Sequence, residues 1–148
     1  MTPPPVFEVF LRLLLAAALG GAIGLEREYR HKPAGLRTNM LIALGSALFS
    51  VMSIDLGAAA GSPDRIAAQV VTGIGFLGAG AILRSGENVH GLTTATTIWV
   101  NAAIGMAAGL GAYAVGECWV AVAAGVKFST RPKIFATPIR QTDDDARR

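Results

Sequence analysis

Ile66-Ala-Ala-Gln-Val-Val-Thr-Gly-Ile-Gly-Phe-Leu-Gly-Ala-Gly-Ala-Ile-Leu83 runs eighteen residues without a charge and carries glycines at 73, 75, 78 and 80. The hydrocarbon core of a bilayer is about 30 Å thick and a helix rises about 1.5 Å per residue, so a stretch of this length reads as a spanning helix. Its glycines give it an unusually thin surface. Four more apolar segments surround it, at 6–25, 38–56, 92–110 and 112–126. The last is short and carries Glu117. With 52% hydrophobic residues and a mean hydropathy of +0.48 over 148 residues, the chain is too apolar for an ordinary soluble domain. Unpaired backbone groups are costly in lipid, and the runs lack the period-2 alternation of barrel strands. The expectation is an all-α membrane protein, a compact bundle of five transmembrane helices.

Charge placement sets the expected orientation. Arg27, Arg30, Lys32 and Arg37 follow the first span, and Arg84 follows the third. Lys127, Arg131, Lys133, Arg140, Arg147 and Arg148 follow the fifth, so eleven of thirteen basic residues fall on one alternating side. The positive-inside rule then places the N-terminus outside and the C-terminus in the cytoplasm. The same count supports the weak fifth span, because without it six basic residues would be stranded outside. The first span does not read as a cleaved signal peptide: no basic residue precedes it, and Glu8 lies at its start. Residues 129–148 hold two prolines, many charges and no apolar stripe, and read as a short basic, disordered tail. The single cysteine, Cys118, allows no internal disulfide.

Several constellations have chemical readings. Gly73-x-Gly75-x-x-Gly78 matches the dinucleotide-binding pattern, but it lies inside an apolar span without a βαβ unit. Close packing of helix backbones is the better reading of these glycines and of Gly80. The same logic applies to Ala17-xxx-Gly21, Gly20-xxx-Gly24 and Asn101-xxx-Gly105-xxx-Gly109, whose spacings put small groups on one helix face. Arg12 sits about two turns into the first span, where a basic group must snorkel or pair. Glu8, four residues earlier, is on the same face, with Asp55 and Glu117 as further candidate partners for an anion or proton site. Gln69, Thr72 and Asn101 are polar groups at membrane depth that need hydrogen-bond partners. Ser62 is expected to cap the third helix, followed by Pro63 and Asp64, and one of Thr93, Thr94, Thr96 and Thr97 to cap the fourth while others back-bond. His31, Glu87 and His90 lack metal-ligand spacing, and no nucleophile–base pair or phosphate loop is present. No enzyme activity, metal, cofactor or nucleic-acid partner is expected.

Taken together, Gly24-Leu-Glu-Arg-Glu28, Pro33-Ala-Gly-Leu-Arg-Thr38, Arg65-Ile-Ala-Ala-Gln69, Gly73-Ile-Gly-Phe-Leu-Gly-Ala-Gly80, Gly91-Leu-Thr-Thr-Ala95 and Trp99 resemble the MgtC/SapB family of bacterial inner-membrane proteins. The resemblance covers residues 11–111, in family order and spacing. It implies five spans, a multi-pass inner-membrane location, and a setting of growth under magnesium limitation. It also implies a regulatory role that includes restraint of the F-type ATP synthase through its membrane sector. The family's motif positions fall on Glu26, Arg27, Arg37, Thr38, Arg65, Gln69, Gly78, Thr93, Thr94 and Trp99. Some members carry Asn where this chain has Thr93, a position linked to function in the family. Many append a folded cytoplasmic domain, and the resemblance is to a short form without it, in which ligand sensing by that domain is lost or supplied by another chain. Two functions are therefore expected to compete. One is a regulator acting through helix contacts with itself or a larger membrane complex. The other is an oligomeric carrier of magnesium or a small solute. Arg12, Gln69 and Asn101 on one water-accessible face would favour transport, and small residues facing lipid would favour a partner.

Overall fold

The computed structural model describes residues 4–85, 88–112 and 114. Four helices, α1 (Val6–Tyr29), α2 (Leu36–Ala60), α3 (Arg65–Gly80) and α4 (Leu92–Gly109), are joined by short connections. The four expected spans within this range coincide with the helices to within a few residues. The fifth span, 112–126, apart from 112 and 114, and the tail, 129–148, lie outside the described residues, as do Glu87 and Glu117.

A correction falls at the end of the opening stretch. α3 stops at Gly80, and Leu83–Ser85 (β1) pairs antiparallel with Asn88–His90 (β2), Leu83 opposite His90 and Ser85 opposite Asn88. Glycine is a poor helix former, so Gly78 and Gly80 weaken the last turn before the polar Arg84-Ser85. Gly91 then takes φ +87 with its α-carbon against the Ala81 carbonyl, where only a residue without a side chain fits.

The caps differ from expectation too. Asp64 precedes α3 in a helical conformation and makes no side-chain capping bond. Ser62 accepts the Arg65 amide with its main-chain oxygen. The tie to α2 is Ser53, whose buried hydroxyl donates to Pro63 O (2.6 Å) and accepts the Ala67 amide (3.0 Å). α4 begins after Gly91 with no threonine cap. Back-bonding does occur, from the Thr96 and Thr97 hydroxyls to Thr93 O.

α1, α2 and α4 pack against one another, and α3 lies against α2 and α4. α2 and α4 run in parallel, with Asn39, Ala43 and Ala47 meeting Asn101, Gly105 and Gly109 in that order. A Cβ on Gly105 or Gly109 would collide with the backbone of Ala43 or Ala47. α1 crosses α2 at Gly20 and Gly24, where a Cβ would sit 2.7 Å from Asn39 O and 2.7 Å from the Leu36 α-carbon respectively. A side chain at Gly20, Gly24 or Gly105 would therefore meet the backbone of α2. Gly78 makes only ordinary contact, 3.7 Å to Ala95.

The core is small and the exterior large. Among the described residues, eight of the thirteen buried hydrophobic side chains are alanine, while Phe7, Phe10, Leu14, Leu25, Phe76 and Leu77 are exposed. Water would drive such residues inward; lipid does not, and close backbone packing between small residues then holds the helices. α1 over Val6–Tyr29 and α2 over Leu36–Gly57 are long and apolar enough to cross a membrane.

Candidate functional site

The last turn of α1 delivers Arg27 into the bundle with only 3% of its surface exposed. Its Nε and Nη2 donate to Pro33 O at 2.9 and 2.7 Å, Nη2 donates to Thr94 Oγ1 at 2.8 Å, and Nη1 to Thr97 Oγ1 at 3.2 Å. A buried guanidinium must have its N–H donors met by acceptors, and here the loop and α4 supply them.

The loop between α1 and α2 is shaped for this. His31 and Ala34 hold φ of 53 and 56 degrees, left-handed conformations that cost non-glycine residues roughly 1–2 kcal/mol each. What the strain achieves is convergence of three successive carbonyls on buried donors. Pro33 O takes Arg27, and Asn39 Nδ2 donates to Ala34 O and Gly35 O at 2.5 and 2.9 Å. The Pro33–Thr38 motif is thus a carbonyl-presenting turn. Outside it, Glu28 accepts the Leu36 amide at 2.9 Å, and Glu26 pairs with Arg30 at 2.6 Å.

One helical turn deeper, Asn101 Nδ2 donates to Asn39 O at 2.6 Å and to Asn39 Oδ1 at 3.1 Å. Both partners are acceptors, which fixes the orientation of the Asn101 amide. Its own Oδ1 is left buried without a partner among the described residues. Both asparagines are fully buried.

At the other end of the bundle, Arg12 forms the expected pair with Glu8, 2.5 Å from Nη2 to Oε1. Its Nη1 also donates to Gly109 O at 2.8 Å, satisfying a carbonyl in the last turn of α4 where a cation is favoured. Asp55 is exposed on α2.

A third region lies open between α2 and α3. Arg37, Thr38, Gln69, Gly73 and Gly80 line an apolar groove of about 1030 Å³ floored by Ile74 and Ile98. Among the described residues, no atom of another element lies within 4 Å of a Cβ built on Gly73, Gly75 or Gly80.

The candidates read from sequence therefore separate. Arg27, Thr94 and Asn101 share the polar core, Arg12 lies at the opposite end, and Arg37, Thr38 and Gln69 line the groove. Arg65, Thr93 and Trp99 are exposed. Arg12, Gln69 and Asn101 share no common face. Asn39 and Thr97 were missed. Asn39 sits near the start of its span, and only its 62-residue separation from Asn101 in sequence is closed by the fold. No group of three or more His, Cys, Asp or Glu gathers among the described residues.

The family model described as MgtC matches residues 13–133. The chain belongs to the MgtC family. It is 54% identical over 116 residues to "Putative magnesium transporter YhiD" of Escherichia coli K12, covering 74% of this chain and 54% of that protein. It is 53% identical over 108 residues to Protein MgtC of Salmonella typhimurium LT2, covering 73% of this chain and 46% of that one. Protein MgtC of Brucella abortus 2308 is 56% identical over 96 residues, 65% of this chain and 40% of that protein. The chain thus spans about half the length of the curated relatives it matches. No solved structure matches it. Membership and the lipid-adapted exterior together make this a membrane protein of the MgtC family.

Proposed function

We propose that this chain is a non-enzymatic regulator of the bacterial inner membrane that serves adaptation to low magnesium by holding a membrane partner against α3. It crosses the membrane five times, with the N-terminus outside and the C-terminus cytoplasmic, as the distribution of basic residues favours. The partner is a second copy or a larger complex such as the membrane sector of the F-type ATP synthase, whose activity it restrains.

The observation that carries this reading is the open state of α3. Ala68, Thr72, Gly75 and Ala79 are all exposed and recur at helical spacing, away from the stripe of Ala67, Ile74 and Gly78 that α3 buries. Small residues on a lipid-facing surface let a partner helix approach closely. The polar groups that a transport path would need are instead dispersed or consumed in internal hydrogen bonds.

Cysteine cross-linking in native membranes tests it, in a Cys118→Ser background. Gly75→Cys is expected to give an adduct containing a second copy or a subunit of the ATP synthase membrane sector. Leu14→Cys, exposed on α1, is expected to give none. Equal adducts from both positions, or none from either, would overturn the reading.

The name of the Escherichia coli relative favours a second reading, carriage of magnesium. Saturable magnesium flux into proteoliposomes of the purified protein, absent from empty liposomes, would replace the regulator by a carrier. The expected result is no flux.

A further inference from the structure

The groove between α2 and α3 adjoins the small-residue face of α3, sharing Ala79 with it, but has a different chemistry. Its lining runs along α2 from Arg37 to Phe49, twelve helical steps, or roughly 18 Å at the helical rise. That is close to the depth of one leaflet, about half of a hydrocarbon core roughly 30 Å thick. The groove holds about 1030 Å³. Leu41, Phe49, Phe76 and Leu77 form its walls and Gly45, Gly73 and Gly80 leave its bed open.

Charge is confined to one end. Arg37 is exposed there and makes no side-chain hydrogen bond or ion pair with the described residues. Beside it is the Thr38 hydroxyl, while the first amide of α2, at Leu36, is already taken by the Glu28 carboxylate. A guanidinium pairs with phosphate through two parallel donors. The remainder of the groove is hydrocarbon in character apart from Ser46 and Gln69.

We infer that this groove binds one anionic phospholipid, its phosphate at Arg37 and Thr38 and one acyl chain laid along α2 towards Phe49. The match of length to a leaflet, and of a lone cation to the mouth of an apolar slot, is the chemistry of that ligand. This inference uses the membrane placement of the chain and is independent of any protein partner at Gly75.

Native mass spectrometry of the full chain released from detergent tests it, with dioleoyl phosphatidylglycerol and dioleoyl phosphatidylcholine as probes. One phosphatidylglycerol is expected to be retained in preference to phosphatidylcholine. Arg37→Gln is expected to weaken phosphatidylglycerol retention about fivefold, the factor for roughly 1 kcal/mol per basic residue at an anionic surface, and to leave phosphatidylcholine unchanged. Gly73→Leu fills the groove and is expected to abolish retention of both; the open space around Gly73 means that it does so without disturbing the fold. Arg30→Gln serves as a charge-matched control and is expected to change nothing. Equal retention of the two lipids, or retention of phosphatidylglycerol untouched by either Arg37→Gln or Gly73→Leu, would overturn the assignment. So would loss of the Gly75 cross-link in Gly73→Leu with lipid binding intact, which would give the groove to protein. A failed Gly75 cross-link with lipid selectivity preserved would sink the regulatory partner alone.

Discussion

α4 buries eleven of its eighteen residues and α3 only three of its sixteen, although both are rich in glycine and alanine. The difference lies in what the glycines meet. Gly105 and Gly109 touch the backbone of α2, whereas Gly73, Gly75 and Gly80 meet no other element among the described residues. In water the apolar α3 would be pulled inward. In lipid no such force acts, and a helix can keep an apolar, thin-surfaced face outward for a ligand or partner. The triad of α1, α2 and α4 is therefore the folded scaffold, and α3 is the element it displays.

The largest effect is expected where the scaffold is tightest. Gly105→Ala places a Cβ into the Ala43 backbone, and the parallel α2–α4 seam must open. We expect a loss of about 3 kcal/mol, the upper range for overpacking, read as a lower unfolding temperature in mild detergent. If Gly105→Ala were as stable as Gly75→Ala, the contrast between the two helices would be false.

Arg27 comes next. Arg27→Met strips donors from Pro33 O, Thr94 and Thr97 at once, and buried acceptors left unpaired cost about 1–3 kcal/mol. A destabilisation of about 2 kcal/mol is expected in the same assay. Arg27→Lys should recover only part of it, because one ammonium cannot reproduce the planar fork that spans the loop and α4. Arg37→Met, on the open groove, should leave stability unchanged. Equal losses at the two arginines would erase the distinction between scaffold and displayed surface.

A smaller effect is expected at the asparagine pair. A double-mutant cycle of Asn39→Ala and Asn101→Ala should give a coupling of about 1 kcal/mol, as for hydrogen bonds between helices in membranes. Additive losses would mean that Asn39 serves only the loop carbonyls and that Asn101 contributes nothing through it.

How much of this was legible in the sequence follows from range. The four helices were, because charge-free runs of bilayer length are a local property. The Glu8–Arg12 pair was, because i and i+4 share a face. The seam at Gly105 was, since Asn101, Gly105 and Gly109 repeat at four. The β1–β2 hairpin was not expected, though Gly86 between Ser85 and Asn88 is a turn-type sequence that could have signalled it. The capping threonines were misread because Gly91, held in a left-handed turn by Ala81, starts α4 instead. Arg27 was read as a residue closing the first span. Its burial depends on Thr94 and Thr97, some seventy residues away, and on the strained loop that aims Pro33 O at it. Asn39 was hidden for the same reason. The glycine run was legible as a thin surface, but sequence does not say on which side of a helix its neighbour lies.

The smallest expected change separates stability from function most cleanly. Gly75→Ala adds a methyl into open space on α3 and removes a flexible residue from a helix interior. Stability should rise by about 0.5–1 kcal/mol, the usual gain for glycine to alanine in a helix. If α3 is displayed to a partner that approaches its backbone, the same methyl stands in the contact. Gly75→Ala should then be better folded in detergent yet poorer in complementing growth at low magnesium. On α4 the two readouts have to fall together, because Gly105 supports the fold itself. A Gly75→Ala protein that is both more stable and fully active would leave α3 facing only lipid.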